Sequence, residues 1–377
     1  MDKKNSINGY KKKKKRKKTL LLLVLLLILA VVLAVVIVNR DFFFSPLRNV
    51  GLDVGEGGYP VVLPGSTEYH MGELSDSFYL LTDTYIYTYT DNGAEISGIQ
   101  HGFQNPVSVS NNKRVFVYDK NGTSFKMYSR TGELFTNSVS DSIVFAQIGN
   151  TERTAVVTTS TRYSNYLYVY NSDGNQIFRW ASPEEKIMGV CFDSTDSNVY
   201  VSVVGENGGE LKVSLVKFDL KNSQSEVWRT EIGDNITYSL ECADNGLYCV
   251  TLGGAYLLDY NSGEIKASNS FVYNVHGIPD EDGIIAMIFD DPASNGETLV
   301  SYNSELLPQS SVSLENLTAF DAYKGRIYIL AKDILTVYNS SLDVVKNYQL
   351  DDEYSDLLII NGCAYLLGYN MVQCVEL

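Results

Sequence analysis

One phrase recurs seven times in this sequence. It is an alternating apolar strand ending in an aromatic residue, then a turn of Asn, Asp, Ser or Gly, then a short second strand. The copies read TYIYTYTDNGAEI, TSFKMYSRTGELF, NYLYVYNSDGNQIFRW, VSLVKFDLKNSQSEVW, GAYLLDYNSGEIKA, ETLVSYNSELLPQ and DILTVYNSSLDVVKNY. Their anchor aromatics are Tyr89, Tyr128, Tyr170, Phe218, Tyr260, Tyr302 and Tyr338, separated by 39, 42, 48, 42, 42 and 36 residues, a mean of 41.5. A further strand pair precedes each copy, as in VSVSNNKRVFVYDKNG, so each repeat holds about four strands. Four-stranded units of roughly 40–45 residues define a β-propeller. One unit alone cannot cover both of its faces, whereas a closed ring of units covers them and leaves few exposed edges. A β-sandwich is the alternative all-β architecture, but it does not predict seven evenly spaced copies.

The ends of the repeat array set the blade count. An eighth anchor falls near residue 374, and the sequence ends at Leu377, so the eighth unit, DLLIINGCAYLLGYNMVQCVEL, lacks its outermost strand. A spare strand, Tyr59-Pro60-Val61-Val62-Leu63, lies ahead of the first full unit, and Pro60 suits an edge position where a missing N–H costs little. Pairing of residues 59–63 with 371–377 closes a ring of eight blades; seven is the alternative.

Ahead of the repeats, Thr19 to Val38 is twenty residues without charge, Pro or Gly, preceded by eight consecutive cations, Lys11 to Lys18. A helix of that length rises about 30 Å and spans a hydrocarbon core while pairing its own backbone groups. Cationic flanks stay in the cytoplasm, which predicts an inside N-terminus and an exported remainder. The expected organisation is a basic tail (1–18), a transmembrane helix (19–38), an extracellular linker (39–57) and a propeller (58–377). Competing readings fit less well. A signal peptide has a shorter apolar region and a small-residue cleavage site. A nucleic-acid patch would interleave aromatics with its cations. A buried core helix would need other helices around it.

Charge separates the two parts. Residues 1–40 hold eleven of the 30 Lys+Arg and one of the 45 Asp+Glu, leaving 19 cations, 44 acids and a net −25 for the rest. Such an acidic region disfavours nucleic acid and anionic lipid surfaces and favours solubility and cationic partners. The five cysteines, Cys191, Cys242, Cys249, Cys363 and Cys374, are too few and odd in number for a disulfide framework. A primed turn on Asn245-Gly246 would set Cys242 opposite Cys249, giving either a cross-strand disulfide or two reduced core thiols.

No catalytic constellation emerges. His70, His101 and His276 fall in different repeats, and HExxH, CxxC, nucleophile-elbow and phosphate-loop patterns are absent. Acidic clusters at Asp193–Asn198, Asp280–Gly283, Asp290–Asp291 and Asp351–Glu353 lack the alternating Asp ladder of a calcium loop, and turn chemistry explains them. A glycosidase pair of carboxylates cannot be picked out among 44 acids. No catalytic, cofactor-binding or metal residue is therefore assigned. The 27 tyrosines either fill layers between blades or offer aromatic faces at blade rims.

At these repeats the chain resembles WD-repeat and quinoprotein-like propellers. Trp180 and Trp228 each lie ten residues after an anchor, Tyr170 and Phe218. The resemblance implies that each docks one blade on the next. A quinone cofactor would need a calcium site and a stacked aromatic floor, which two inter-blade tryptophans do not supply. The layout is also similar to an uncharacterised Firmicutes family of single-span exported propellers, through the basic N-terminus, the span, LLTDTYIYTYTDNG, RVFVYDKNGTSFKMYSRTGELF, IFRW and GGELKVSLVKFDL. That likeness implies location and fold but no activity. The expected function is a non-enzymatic module docking a protein or cell-wall glycan at the envelope; the alternative is an envelope-bound hydrolase or lyase acting on glycan or peptide.

Overall fold

The computed structural model describes residues 54–221, 225–277, 285–291 and 296–377. The predicted tail, the apolar span 19–38 and most of the linker lie outside these residues. Among the described residues no helix is long and apolar enough to cross a membrane.

Residues 54–377 form one compact unit. It contains eight four-stranded antiparallel sheets, covering 69–100, 106–138, 143–182, 186–233, 237–270, 275–314, 317–349 and 356–376, the last completed by Val61–Val62. These are blades 1 to 8. The first strands of neighbouring blades adjoin one another, so they are innermost and the fourth strands are outermost. The second strands are covered on both faces and read as nearly continuous apolar runs, such as SFYLLT at Ser77–Thr82 and TAVVT at Thr154–Thr158. Outer strands such as Gly132–Ser138 alternate between half-buried and exposed positions. Antiparallel pairing puts two kinds of turn on each side of the ring. The turns between first and second strands and between third and fourth strands define a lower face. The turns between second and third strands and the blade-to-blade connections define an upper face.

The apolar core is divided into eight clusters, each lying between consecutive blades. Phe116 and Phe125 of blade 2 pack with Val156 and Tyr170 of blade 3, and Phe125 meets the Tyr170 ring edge-on at 5.0 Å. Stability thus resides between units, as the repeat arithmetic requires.

The ring closes as expected, with eight blades. Val61 pairs with Val372 and Val62 with Met371, and the Leu63 N–H donates to the Asn370 carbonyl at 2.9 Å. Val61 and Leu63 join Phe78 of blade 1 and Tyr365 of blade 8 in one cluster, with the two rings 5.1 Å apart.

Seven blades carry a bulge where the third strand meets the fourth, at Tyr89, Tyr128, Tyr170, Phe218, Leu258, Tyr302 and Tyr338. In blade 5 the anchor position is therefore Leu258, two residues before the predicted Tyr260. The following turn begins at Asp259, whose carboxylate accepts the N–H groups of Asn261 and Ser262 at 2.9 and 3.0 Å. Asn171, Asn303 and Asn339 cap the matching turns; Asn303 accepts from Glu305 at 3.0 Å and Leu307 at 2.9 Å. The turn signature, not the aromatic, sets the register. One residue of each turn adopts a left-handed conformation: Gly174 at φ 81°, Leu306 at φ 58° and Leu342 at φ 63°. A leucine there costs about 1–2 kcal/mol of backbone energy. Full burial of Leu306 against blade 5 offsets it.

Candidate functional site

The histidines and acidic clusters, assigned to no site from the sequence, make the following contacts. His101 is buried. Its Nε2 donates to the Thr82 carbonyl at 3.1 Å, and its Nδ1 accepts the Phe103 N–H at 3.0 Å. Burial lowers its pKa. A base with a lowered folded pKa adds stability that is complete above the unfolded value, about 6.5, and is lost as pH falls through the folded one. Between pH 7.5 and 5.5 the urea midpoint of the native chain should therefore fall further than that of His101→Gln. Equal falls would remove His101 from the acid response. His70 is exposed at the start of the innermost strand of blade 1, Tyr69–Leu74. It lies near Asp356 of blade 8, whose pKa is raised by burial, against the Leu357 N–H that lowers it. The side chain of His276 and the cluster 280–283 lie outside the described residues.

The acidic cluster at Asp193–Asn198 is turn chemistry and more. Asp193 accepts the N–H groups of Ser197 and Asn198 at 2.7 and 3.3 Å. Asp196 is fully buried, at φ 50°, and reaches back to blade 3. Its carboxylate accepts the N–H of Asn150 at 2.9 Å and both the N–H and hydroxyl of Thr151 at 2.7 Å. Asp351–Glu353 is exposed, with Asp352 accepting the Glu353 N–H. Asp290 is described, but the side chain of Asp291 is not. Among the described residues, no three His, Cys, Asp or Glu side chains gather to hold a metal ion.

Two features of the sequence reading are corrected or sharpened by blades 4 and 5. Cys242 does not face Cys249. Ala243 pairs with Gly246, so the turn is Asp244-Asn245, Cys242 lies opposite Leu247, and Cys249 lies opposite Leu240. Gly246 is needed for close approach, not for a primed turn: a Cβ there would sit 2.5 Å from the Leu258 carbonyl of the next strand. The tryptophans dock blades as expected. The Trp180 ring lies 5.0 Å from Phe218 of blade 4, and the Trp228 indole donates to the Tyr260 carbonyl of blade 5 at 3.1 Å. The sequence did not reveal a second staple. Asn137, Thr230 and Asn269 on outer strands each donate to the carbonyl of the left-handed residue in the next blade's turn, at 2.9, 2.7 and 2.8 Å.

The tyrosines divide between the core and one face. Eleven tyrosines are buried in the core, among them Tyr128, Tyr200 and Tyr365. Four are exposed among the described residues, Tyr85, Tyr238, Tyr273 and Tyr369, and all four lie on the upper face. There, exposed apolar side chains gather on the loops of blade 5. The Leu252 N–H donates to the Ile236 carbonyl at 3.0 Å and the Phe271 N–H to the Gly253 carbonyl at 2.9 Å, tying three loops together. These loops expose Ile236, Leu252, Val272 and Tyr273, with Tyr238 at the adjoining strand start; Val272 is 90% exposed. Beside them rises the hairpin of blade 4. Its two ten-residue strands, Asn198–Asn207 and Glu210–Asp219, continue beyond their last sheet pairing at Val213–Gly233 by three paired rows. That is about 10 Å of free ribbon. Leu211 is exposed on it. The hairpin carries Glu206 and Glu210 with Lys212, which is paired with Glu231 at 2.9 Å; Asp234 lies on the loop entering blade 5, and Glu184 and Glu185 lie on the connection into blade 4, where Glu185 is paired with Arg229 at 2.8 Å. Two open clefts of about 420 and 320 Å³ occur elsewhere, the first lined by Tyr348 and Tyr354, the second by Arg114 and Glu152.

Eight four-stranded blades around an axis, joined by inter-blade cores, define a β-propeller. The chain belongs to the family of unknown function DUF5711, whose model matches residues 65–377. The fold is similar to that of BamB from Moraxella catarrhalis, with 13% identity over 82% of this chain and 96% of that one and a TM-score of 0.55. It is also similar to Saccharomyces cerevisiae Sqt1, with 11% identity over 85% and 98% of the two chains and a TM-score of 0.60. The C-terminal WD40 domain of Sif2 matches at 12% identity over 86% and 99%, with a TM-score of 0.61. No curated protein matches the sequence.

Proposed function

We propose that this chain is a non-enzymatic interaction module of the bacterial cell envelope. Residues 19–38 anchor it as a single-pass helix, residues 1–18 stay in the cytoplasm, and the propeller lies outside. The observation that carries the binding role is the placement of all four exposed tyrosines on the upper face. Tyrosine supplies large contact area at low conformational cost and is enriched where interfaces concentrate their energy. The acids of the blade 4 hairpin, Glu206 and Glu210, with Asp234 beside blade 5, select the partner: a protein segment with basic and apolar side chains, steered by charge and held by burial.

The full-length chain in its own cells provides the test. A photo-crosslinking residue at Val272 should yield a discrete protein adduct whose linked peptide is basic and apolar. One at Val344, exposed on the outer strand of blade 7, should not. Val272→Asp together with Tyr273→Asp should cut adduct formation about tenfold or more, with crosslinking then read from Leu252. A wall glycan on Val272, or no adduct, would overturn the partner assignment. Turnover of wall-derived substrates, abolished by one carboxylate substitution, would replace the module with an enzyme. Protease added to intact cells should digest the propeller; digestion only after lysis would reverse the orientation.

A further inference from the structure

Cys191 and Cys242 belong to different blades and to no shared sequence motif. Cys191 lies near the end of the innermost strand of blade 4, Lys186–Phe192, and Cys242 near the end of the innermost strand of blade 5, Thr237–Ala243. Their Sγ atoms are 2.8 Å apart. That is well inside the roughly 3.5–4.0 Å of ordinary nonbonded contact between carbon atoms. The two sulfurs occupy one site, on adjoining strands that belong to the same inter-blade cluster.

We propose that Cys191 and Cys242 are a dithiol pair that oxidises to a disulfide stapling blade 4 to blade 5. The oxidant is a low-molecular-weight disulfide, and the chemistry is two exchanges. Cys242 is half-buried whereas Cys191 is 6% exposed, so Cys242 is the thiol the oxidant reaches. The Cys242 thiolate attacks one sulfur of the oxidant, forms a mixed disulfide and expels one thiol. The Cys191 sulfur then attacks Cys242 Sγ, gives up its proton and expels the second thiol. Two protein thiols are oxidised, and one small disulfide is reduced to two thiols. Burial holds Cys191 protonated, with its pKa raised, which suits the resolving role rather than the entry role. Cys249, in the same cluster, is fully buried and lies 4.0 Å from the Thr237 hydroxyl. It stays reduced.

The bond would link positions 51 residues apart in sequence. Closing a loop of that length constrains the unfolded chain, so oxidation should raise the melting temperature by about 5–10 °C. The full-length chain is equilibrated with oxidised and with reduced glutathione, quenched with an alkylating reagent in denaturant, and mapped by peptide mass spectrometry. The expected result is a peptide pair joined through Cys191 and Cys242 in the oxidised sample only, with the higher melting temperature. Cys191→Ser and Cys242→Ser should each abolish both changes, while Cys249→Ser should leave the bond intact. The wild-type comparison needs no variant, so a variant that folds poorly does not confound the result. Alkylation of both Cys191 and Cys242 after equilibration with oxidised glutathione would overturn the proposal, as would a bond joining Cys242 to Cys249.

Discussion

Deletion of residues 54–64 should lower the melting temperature by more than 10 °C. Val61 and Leu63 are each 8% exposed, and burying such side chains contributes about 1.5–3 kcal/mol apiece. Their removal also strips the backbone partners of Asn370, Met371 and Val372 and opens the cluster shared by blades 8 and 1. The summed loss is about 5–8 kcal/mol. Val62→Asp is the control. Val62 is 76% exposed, so its substitution should stay within about 0.5 kcal/mol of wild type. Calorimetry of the three proteins decides the matter. An unchanged melting curve for the deletion would mean that the ring holds without its first strand.

Asp196→Ala should cost about 3–5 kcal/mol, the other large effect. The carboxylate is fully buried and accepts three backbone N–H groups and one hydroxyl of blade 3. Without it those donors, on the exposed turn residues Asn150 and Thr151 and on Arg153, lose a charged acceptor. It also fills the space over Gly149, where a Cβ would lie 2.3 Å from Asp196 Oδ1. Asp196→Asn keeps one acceptor oxygen and tolerates the left-handed backbone, so about half the loss is expected. Gly149→Ala should destabilise wild type more than it destabilises Asp196→Ala, because the clash partner is then gone. Denaturant melts of the four proteins give this cycle directly. Additive losses would show that Asp196 and Gly149 do not share one packing site.

The architecture was readable because its signal repeats. Buried second strands, capped turns and anchor positions recur near a 41.5-residue mean, so one obscure copy does little damage. The spare strand at Val61 was readable for the same reason: the eighth unit was one strand short. Local register was less accessible. Tyr260 resembles an anchor because an aromatic two places beyond Leu258 imitates the pattern, and only the bulge separates them. Cys242 was set against Cys249 because Asn-Gly usually marks a turn. Here Gly246 is needed where the backbone of the neighbouring strand comes close. Contacts between blades were hidden for a different reason. Asp196 with Thr151, Asn269 with Leu306, and Cys191 with Cys242 join positions 45, 37 and 51 residues apart that share no motif. The apolar upper face was equally out of reach, since single exposed residues in separate loops look unremarkable until topology brings Ile236, Leu252 and Val272 side by side.

The pairing of Val61 with Val372 joins nearly the first described residue to nearly the last. During synthesis the earliest strand must wait for the final blade to leave the ribosome, because its partner does not yet exist. Until then the nascent protein is an open arc with an unpaired rim, and its slowest contact is also its longest in sequence. A product truncated before Met371 cannot complete the circle, so synthesis past Val372 becomes a condition of closing the ring.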